Sequence, residues 1–221
     1  VDSMRTLPAK ADPMDVLEAA VPLLGMADPD LADESREANV RKAVRLIARV
    51  PAVVAAWNRI RQGKEPLPPD DGLTHAANFL WQLTGEKPPA DMARDFDVCL
   101  VLHADHTFNA STFACREVVS TQAHMYAGVA AGVGALSGSL HGGANARVMK
   151  MLFQVEREVK SEDDVGRWVR DRIERGEKIM GMGHAVYKTF DPRSKILKEM
   201  SRRLGDQTGH ASWYRLLTRI E

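Results

Sequence analysis

Apolar residues recur at every third or fourth position along nearly the whole chain, which is the spacing of one face of an α-helix. Nowhere does a convincing alternation of apolar and polar residues mark a strand, so the pattern predicts an all-α fold. Local signals divide the pattern into elements. Asp12 followed by Pro13 reads as an N-cap with proline at the first helical position, and Gly25 closes that helix. Ser35 opens a long amphipathic helix to Gly63, with a kink expected near Pro51, because proline removes one ladder hydrogen bond. Residues 64–72 hold three prolines and read as a loop. Helices are expected over 74–84 and 89–103, then from a cap at Ser111 or Thr112 to about Gln122, then over 124–136 and 144–159. Ser161-Glu-Asp-Asp164 reads as a capping box whose acids suit the positive end of a helix closed by Gly176. The pattern restarts at Asp191-Pro192 and runs to Gly205, and Ala211 begins a last helix.

Composition narrows the class. A chain of 221 residues, 44% of them hydrophobic, can build a real core in one large or two small domains. Thirty basic and thirty acidic residues cancel, which argues against a nucleic-acid binder with its usual basic excess. The densest charge run, 167–178, interleaves both signs as a solvated helix face does. Cys99 and Cys115 sit in helical patterns without metal-ligand spacing and read as buried free thiols of a reducing compartment, the cytoplasm. Residues 118–146 carry no Asp, Glu, Lys or Arg and are long enough to span a bilayer. Their Ala, Gly and Ser content lacks the Leu, Ile and Phe density that drives insertion. We read them as a buried helix of close helix-to-helix approach leading into the His141 loop, near a subunit contact.

Three histidine segments carry the chemistry, two of them flanked by glycines. IMGMGHAVYKTFDPR, residues 179–193, puts His184 behind two glycines and Arg193 beyond a short turn. Glycines admit a bulky ligand to the backbone, histidine exchanges a proton near neutral pH, and arginine clamps a carboxylate bidentately. A Gly-rich turn with an exposed histidine and a capping Asp191 is the plainer reading of the same residues. LSGSLHGGAN, residues 136–145, sets His141 in a second glycine loop, and LHADHTFNAST, residues 102–112, is the third segment.

In this order the three segments resemble the citrate synthase family, which includes the 2-methylcitrate synthases. Its GHxVYK-x-x-DPR signature is matched at 183–193, its L-x-G-x-LHGGAN block at 136–145 and its LHADH-x-x-NAST block at 102–112. Four positions depart from the pattern: Thr107 for a usual Glu, Ser139 for Pro, Ala146 for a frequent Glu, and Ala185 where many bacterial members carry Arg. The resemblance implies a large helical domain, here 1–150, and part of a small mobile one, here 151–221, with the active site between them. It also implies that this stretch lacks both ends, including the proton-abstracting aspartate and later arginines. Asp206 does not match that aspartate's motif. By itself the stretch is therefore expected to be inactive, leaving uncovered an apolar face carried by Val44, Ile47, Val54 and Trp57.

The implied reaction is a Claisen-type condensation of acetyl-CoA or propionyl-CoA with oxaloacetate, with no metal and no permanently bound cofactor. It needs a base for the thioester methyl, a donor for the enolate oxygen and a donor for the ketone. His141 suits the enolate, since a helix N-terminus disfavours its imidazolium form. His184 suits the ketone, Arg193 an acceptor carboxylate, and His106 is a further donor to that acceptor. Asn109 and Ser111 support the same loop. Ile179, Met180, Gly181, Met182 and Gly183 would hold the CoA moiety, with Lys188 near phosphate or pantetheine. His103 reads as structural, and Asp105 orients a histidine or caps a helix. A homodimer without nucleic-acid or membrane partners is expected. Two other readings stay open: a short homologue that binds CoA or a dicarboxylate without turnover, and a metallohydrolase on His103, Asp105 and His106 joined by His141 or His184.

Overall fold

The computed structural model describes residues 1–105, 107–182 and 191–221, and among them there are α-helices, one 3-10 turn and no strand. The chain divides into two compact units, Val1–His141 and Gly142–Glu221. Residue 150, the expected boundary, lies inside a helix of the second unit. That helix buries Met151, Leu152 and Val155 against Val165, Leu216 and Ile220 further along the same unit.

The first unit holds α1 (Asp2–Arg5), α2 (Pro13–Met26), α3 (Arg36–Ile60), α4 (His75–Thr84), α5 (Ala90–Leu102), α6 (Ala110–Ser120) and α7 (Met125–Ser137). Side-chain caps start most of them, each satisfying an amide that the helix cannot. Asp12 Oδ1 accepts from Met14 N at 2.8 Å, Ser35 Oγ from Ala38 N at 3.2 Å and Thr74 Oγ1 from Ala77 N at 3.4 Å. α3 runs unbroken through Pro51. The short α1 was not foreseen; it is held by Met4, which joins Val16, Ala20, Val53, Ala56 and Trp57 in one core cluster. A second cluster joins Val21, Leu46, Tyr126 and Ala130 of α2, α3 and α7.

The face expected through Val44, Ile47, Val54 and Trp57 does not exist as one surface. Val44 and Ile47 are 60% and 65% exposed, whereas Trp57 is only 3% exposed. Beyond Pro51 the helix faces α2, and before it these two side chains point to solvent. Charge is also buried here. Tyr126, fully buried, donates its hydroxyl to Asp28 Oδ2, and Arg45 Nη1 donates to Asp28 Oδ1 at 2.7 Å and Asp30 Oδ2 at 2.6 Å. The bonds tie the turn after α2 to α3 and α7.

α6 and α7 pack along much of their length, and Gly128 lets them approach closely. A Cβ there would meet Val119 Cγ1 at 2.6 Å and the Cys115 carbonyl at 3.1 Å. Cys99 and Cys115 are free and half-buried rather than buried, and burial pushes both thiols up from their ordinary range. No helix among the described residues is long and apolar enough to cross a membrane.

The second unit holds α8 (Ala144–Glu158), α9 (Val165–Glu174), α10 (Ser194–Thr208) and α11 (Ala211–Ile220). The expected capping box does not form. Ser161 Oγ donates to Asp164 Oδ2 at 2.8 Å, so neither side chain caps the backbone, and a 3-10 turn precedes α9. α10 passes Gly205 and stops at left-handed Gly209 (φ 75°); Gly205 instead makes room for the start of α11, since a Cβ there would lie 3.1 Å from Ala211 Cα.

Candidate active site

His141 is aimed by the start of α6, thirty residues earlier in the chain. Asn109, rather than Ser111 or Thr112, is the N-cap: its Oδ1 accepts from Thr112 N at 2.9 Å and from the Ser111 hydroxyl at 2.7 Å. Phe113 N bonds to the Asn109 carbonyl at 2.9 Å. Of the first-turn amides that α6 cannot satisfy itself, the Ser111 N–H points outward and donates to His141 Nε2 at 3.2 Å. The turn after α7, closed by His141 N to Gly138 O at 3.0 Å, delivers the ring there. Ser111 Oγ lies 3.0 Å from the same nitrogen.

This contact fixes where the ring carries its proton. A backbone amide can only donate, so Nε2 must supply a lone pair, and the proton of the neutral ring sits on Nδ1. A protonated Nε2 would face the Ser111 amide donor to donor. His141 thus presents an N–H from Nδ1, the donor that an oxygen gaining negative charge requires.

The neighbouring loop residues do other work. His103 Nδ1 lies 2.6 Å from the Cys99 carbonyl, so this exposed ring donates to the C-terminal turn of α5. Asp105 Oδ1 accepts from Thr107 N at 3.1 Å. Thr107 holds φ 56°, a left-handed conformation uncommon for a β-branched residue. Where the family usually carries Glu, a strained threonine adjoins His106.

In the second unit, Lys178, Ile179, Met180, Gly181 and Met182 line an open concavity of about 470 Å³. Gly181 is required there twice. Its φ of 84° is left-handed, and a Cβ would press within 2.9 Å of Val148 on α8. Ile179 and Met180 anchor the loop by packing on the α8–α11 cluster. Arg193 follows the Asp191-Pro192 turn, and its guanidinium grips Asp191, with Nε 3.0 Å from Oδ1 and Nη2 2.7 Å from Oδ2. That pairing was missed in the sequence, although a carboxylate two residues before an arginine across a proline could have signalled it. His106, Gly183, His184 and Lys188 lie outside the described residues. Among the described residues no three His, Cys, Asp or Glu side chains come together as a metal-binding set.

The family model for the citrate synthase C-terminal domain matches residues 1–221. This chain belongs to the citrate synthase family. It is 49% identical over 209 residues to citrate synthase 2 of Bacillus subtilis, covering 95% of this chain and 55% of that protein. It is 40% identical over 207 residues to the 2-methylcitrate synthase of Mycobacterium tuberculosis, covering 94% of this chain and 51% of that one. The crystal structure of citrate synthase from Pyrobaculum aerophilum superposes with a TM-score of 0.90 at 37% identity, over 100% of this chain and 56% of that chain. Citrate synthase from Thermoplasma acidophilum, in a ternary complex with carboxymethyl coenzyme A and oxaloacetate, also scores 0.90, at 30% identity over 100% of this chain and 57% of that one. The chain spans about half the length of the curated relatives it matches. The all-helical citrate synthase fold expected from the sequence is the one observed.

Proposed function

We propose that the protein condenses an acyl-CoA, acetyl-CoA or propionyl-CoA, with oxaloacetate to give citrate or 2-methylcitrate and free CoA. The observation that carries this is His141, whose Nε2 accepts from the Ser111 amide at 3.2 Å, which leaves Nδ1–H as the donor of the neutral ring. A base takes a proton from the carbon next to the thioester, and the resulting enolate oxygen accepts from His141 Nδ1–H. The enolate carbon then attacks the ketone of oxaloacetate, forming the new carbon–carbon bond as the ketone oxygen takes up a proton. Water cleaves the thioester and releases CoA. Asp206 is not assigned as the base: its carboxylate is paired with Arg202 at 3.3 Å on α10.

The remaining roles follow the family motifs. His184 polarises the ketone, Arg193 holds an acceptor carboxylate, and His106 donates to the same acceptor, while Asn109 and Ser111 support His141. The concavity at 178–182 supports a CoA site continued by Gly183 and Lys188. The Thermoplasma acidophilum enzyme bound to a CoA analogue and oxaloacetate supports the same pair of substrates. A homodimer is supported by α6, which buries no residue and leaves Phe113 exposed, with exposed Phe108 beside it. We place the enzyme in the cytoplasm, in keeping with its two free cysteines.

The test is His141→Ala in the full protein, assayed by CoA release with each acyl-CoA and oxaloacetate. Losing one such donor lowers kcat about 100- to 1000-fold with a smaller change in KM. A variant that keeps more than about a tenth of wild-type kcat sinks the assigned role.

A further inference from the structure

We propose that Arg172 is a positioning residue for the acyl-CoA: from the end of α9 it fixes where the chain leaves that helix to form the concavity at 178–182. The inference rests on the reading of that concavity as the CoA site.

α9 ends in a glycine closure. Gly176 holds φ 73°, its N–H donates to the Ile173 carbonyl at 2.9 Å, and Glu177 N donates to the Arg172 carbonyl at 2.9 Å. The two bonds satisfy carbonyls that the helix end leaves open and turn the chain sharply. Glu177 is then the residue that adjoins Lys178, where the lining of the concavity begins. The Arg172 side chain holds Glu177 a second time, because its Nη1 donates to Glu177 Oε2. One arginine thus fastens the start of the loop through both its backbone carbonyl and its guanidinium.

The guanidinium is itself fixed. Its Cζ lies 4.1 Å from the ring centroid of Trp168, one turn earlier on α9, and its Nη2 lies 3.7 Å from Glu158 Oε2 at the end of α8. Trp168 Nε1 donates to that same Glu158 oxygen at 2.7 Å, and Gln154 Nε2 donates to Oε1 at 2.7 Å. The Arg172 side chain is only 16% exposed, so water screens its pairing with Glu177 less than that of Arg175, which is 62% exposed and lies 3.2 Å from Glu177 Oε1.

Beyond Glu177, Ile179 and Met180 pack on the α8–α11 cluster, and Met182 N bonds to the Ile179 carbonyl at 3.3 Å. The loop is therefore held at its start and along its length before a ligand arrives. Ordering a loop on binding weakens affinity, and a loop shaped beforehand avoids that cost. The opposite reading makes the network a brace between α8 and α9 with no consequence for a ligand. The position of Glu177 disfavours it, since this residue lies outside both helices and its pairing acts on the loop.

In the full enzyme, Arg172→Gln is expected to raise the acyl-CoA KM about 10-fold, with kcat and the oxaloacetate KM within about twofold of wild type. Glu177→Gln leaves Arg172 on Trp168 and Glu158, and should give the same acyl-CoA-selective rise at about threefold. Because the two side chains act as a pair, the double variant should be no worse than Arg172→Gln alone. Arg175→Gln, the exposed control, should leave every parameter at wild type. A brace between helices would lower the melting temperature of Arg172→Gln while leaving both KM values unchanged, or move both KM values together. Either result, or effects that multiply in the double variant, overturns the proposal. Should Arg172→Gln fold poorly, Glu177→Gln decides, and an unchanged acyl-CoA KM counts against the idea. Met182→Glu is the control on the underlying reading, since it sets a negative charge in the concavity against a phosphate-bearing substrate. If it leaves the acyl-CoA KM unchanged, the CoA assignment itself fails; if it raises that KM while Arg172→Gln and Glu177→Gln do not, only the positioning role fails.

Discussion

Replacing Tyr126 with phenylalanine removes a single oxygen from the centre of the first unit, and the surroundings set what that costs. Tyr126 is fully buried, and the Asp28 side chain that its hydroxyl meets is also shielded from solvent. Burial pushes the Asp28 carboxyl up, but hydrogen bonds from Tyr126, the Asp30 amide and Arg45 outweigh it and hold the group below the usual carboxylate range. A buried hydrogen bond to a charged group contributes about 1.5–3 kcal/mol, and water cannot replace the missing donor here, so Tyr126→Phe should cost about 2 kcal/mol at pH 7. The carboxylate keeps Arg45 at 2.7 Å, so the loss stays short of that for an unpaired buried charge. The pH dependence follows from the sign of each shift. Asp28, with its folded-state value depressed, contributes stability above the unfolded carboxylate value of about 3.9. That contribution is lost as pH falls through the folded value, and the gap between wild type and variant should narrow there. At the alkaline end, burial and then the bond to Asp28 push the Tyr126 hydroxyl up to about 12. Its contribution is present below the unfolded value of about 10 and lost as pH rises through the folded one, a decline that phenylalanine cannot show. Urea melts followed by helical circular dichroism at several pH values measure all three. A loss under about 0.5 kcal/mol at pH 7, or a gap that widens toward acid, would refute the argument.

Arg193→Lys keeps the charge but loses the planar fork, so titration calorimetry should show weaker oxaloacetate binding with CoA affinity nearly unchanged; equal losses would contradict the division of roles. Gly128→Ala drives a methyl into Val119 and the Cys115 backbone, where a Cβ would sit 2.6 Å and 3.1 Å away, and should cost about 1–3 kcal/mol in the same melts. Thr107→Gly relieves a left-handed threonine (φ 56°) and should raise stability by about 1 kcal/mol while lowering turnover if the strain orients the loop. A variant less stable than wild type would show that the threonine contacts outweigh the strain.

Elements with signals inside their own sequence were legible, and those decided by neighbours were not. Asp12-Pro13, Ser35 and Thr74 start helices because each cap lies two or three residues from the amide it satisfies. The NAST segment offers four small residues, three of them able to cap, and the choice falls on Asn109. Its side-chain Oδ1 takes both the Thr112 amide and the Ser111 hydroxyl. Ser161 had the right spacing for a capping box, but its hydroxyl is used as a donor to Asp164. On α3 the period marks Val44, Ile47 and Trp57 as apolar without saying which of them meets a neighbour; α2 covers only the last.

The same distinction runs through the site. The glycine spacing around His141 was readable, because a missing side chain is a property of the sequence. Which ring nitrogen bears the proton was not, because it depends on an amide thirty residues away that α6 leaves pointing outward. The Asn109 cap takes the neighbouring Thr112 amide and leaves the Ser111 amide to the ring, so the start of one helix sets the hydrogen-bonding role of a histidine in another turn. Arg193 makes the complementary case. Its residue type announced a carboxylate clamp, but the carboxylate it holds within the described residues belongs to Asp191, two positions away. Motif residues therefore identify the chemistry, while the backbone groups and short-range partners beside them set which face of each functional group is presented.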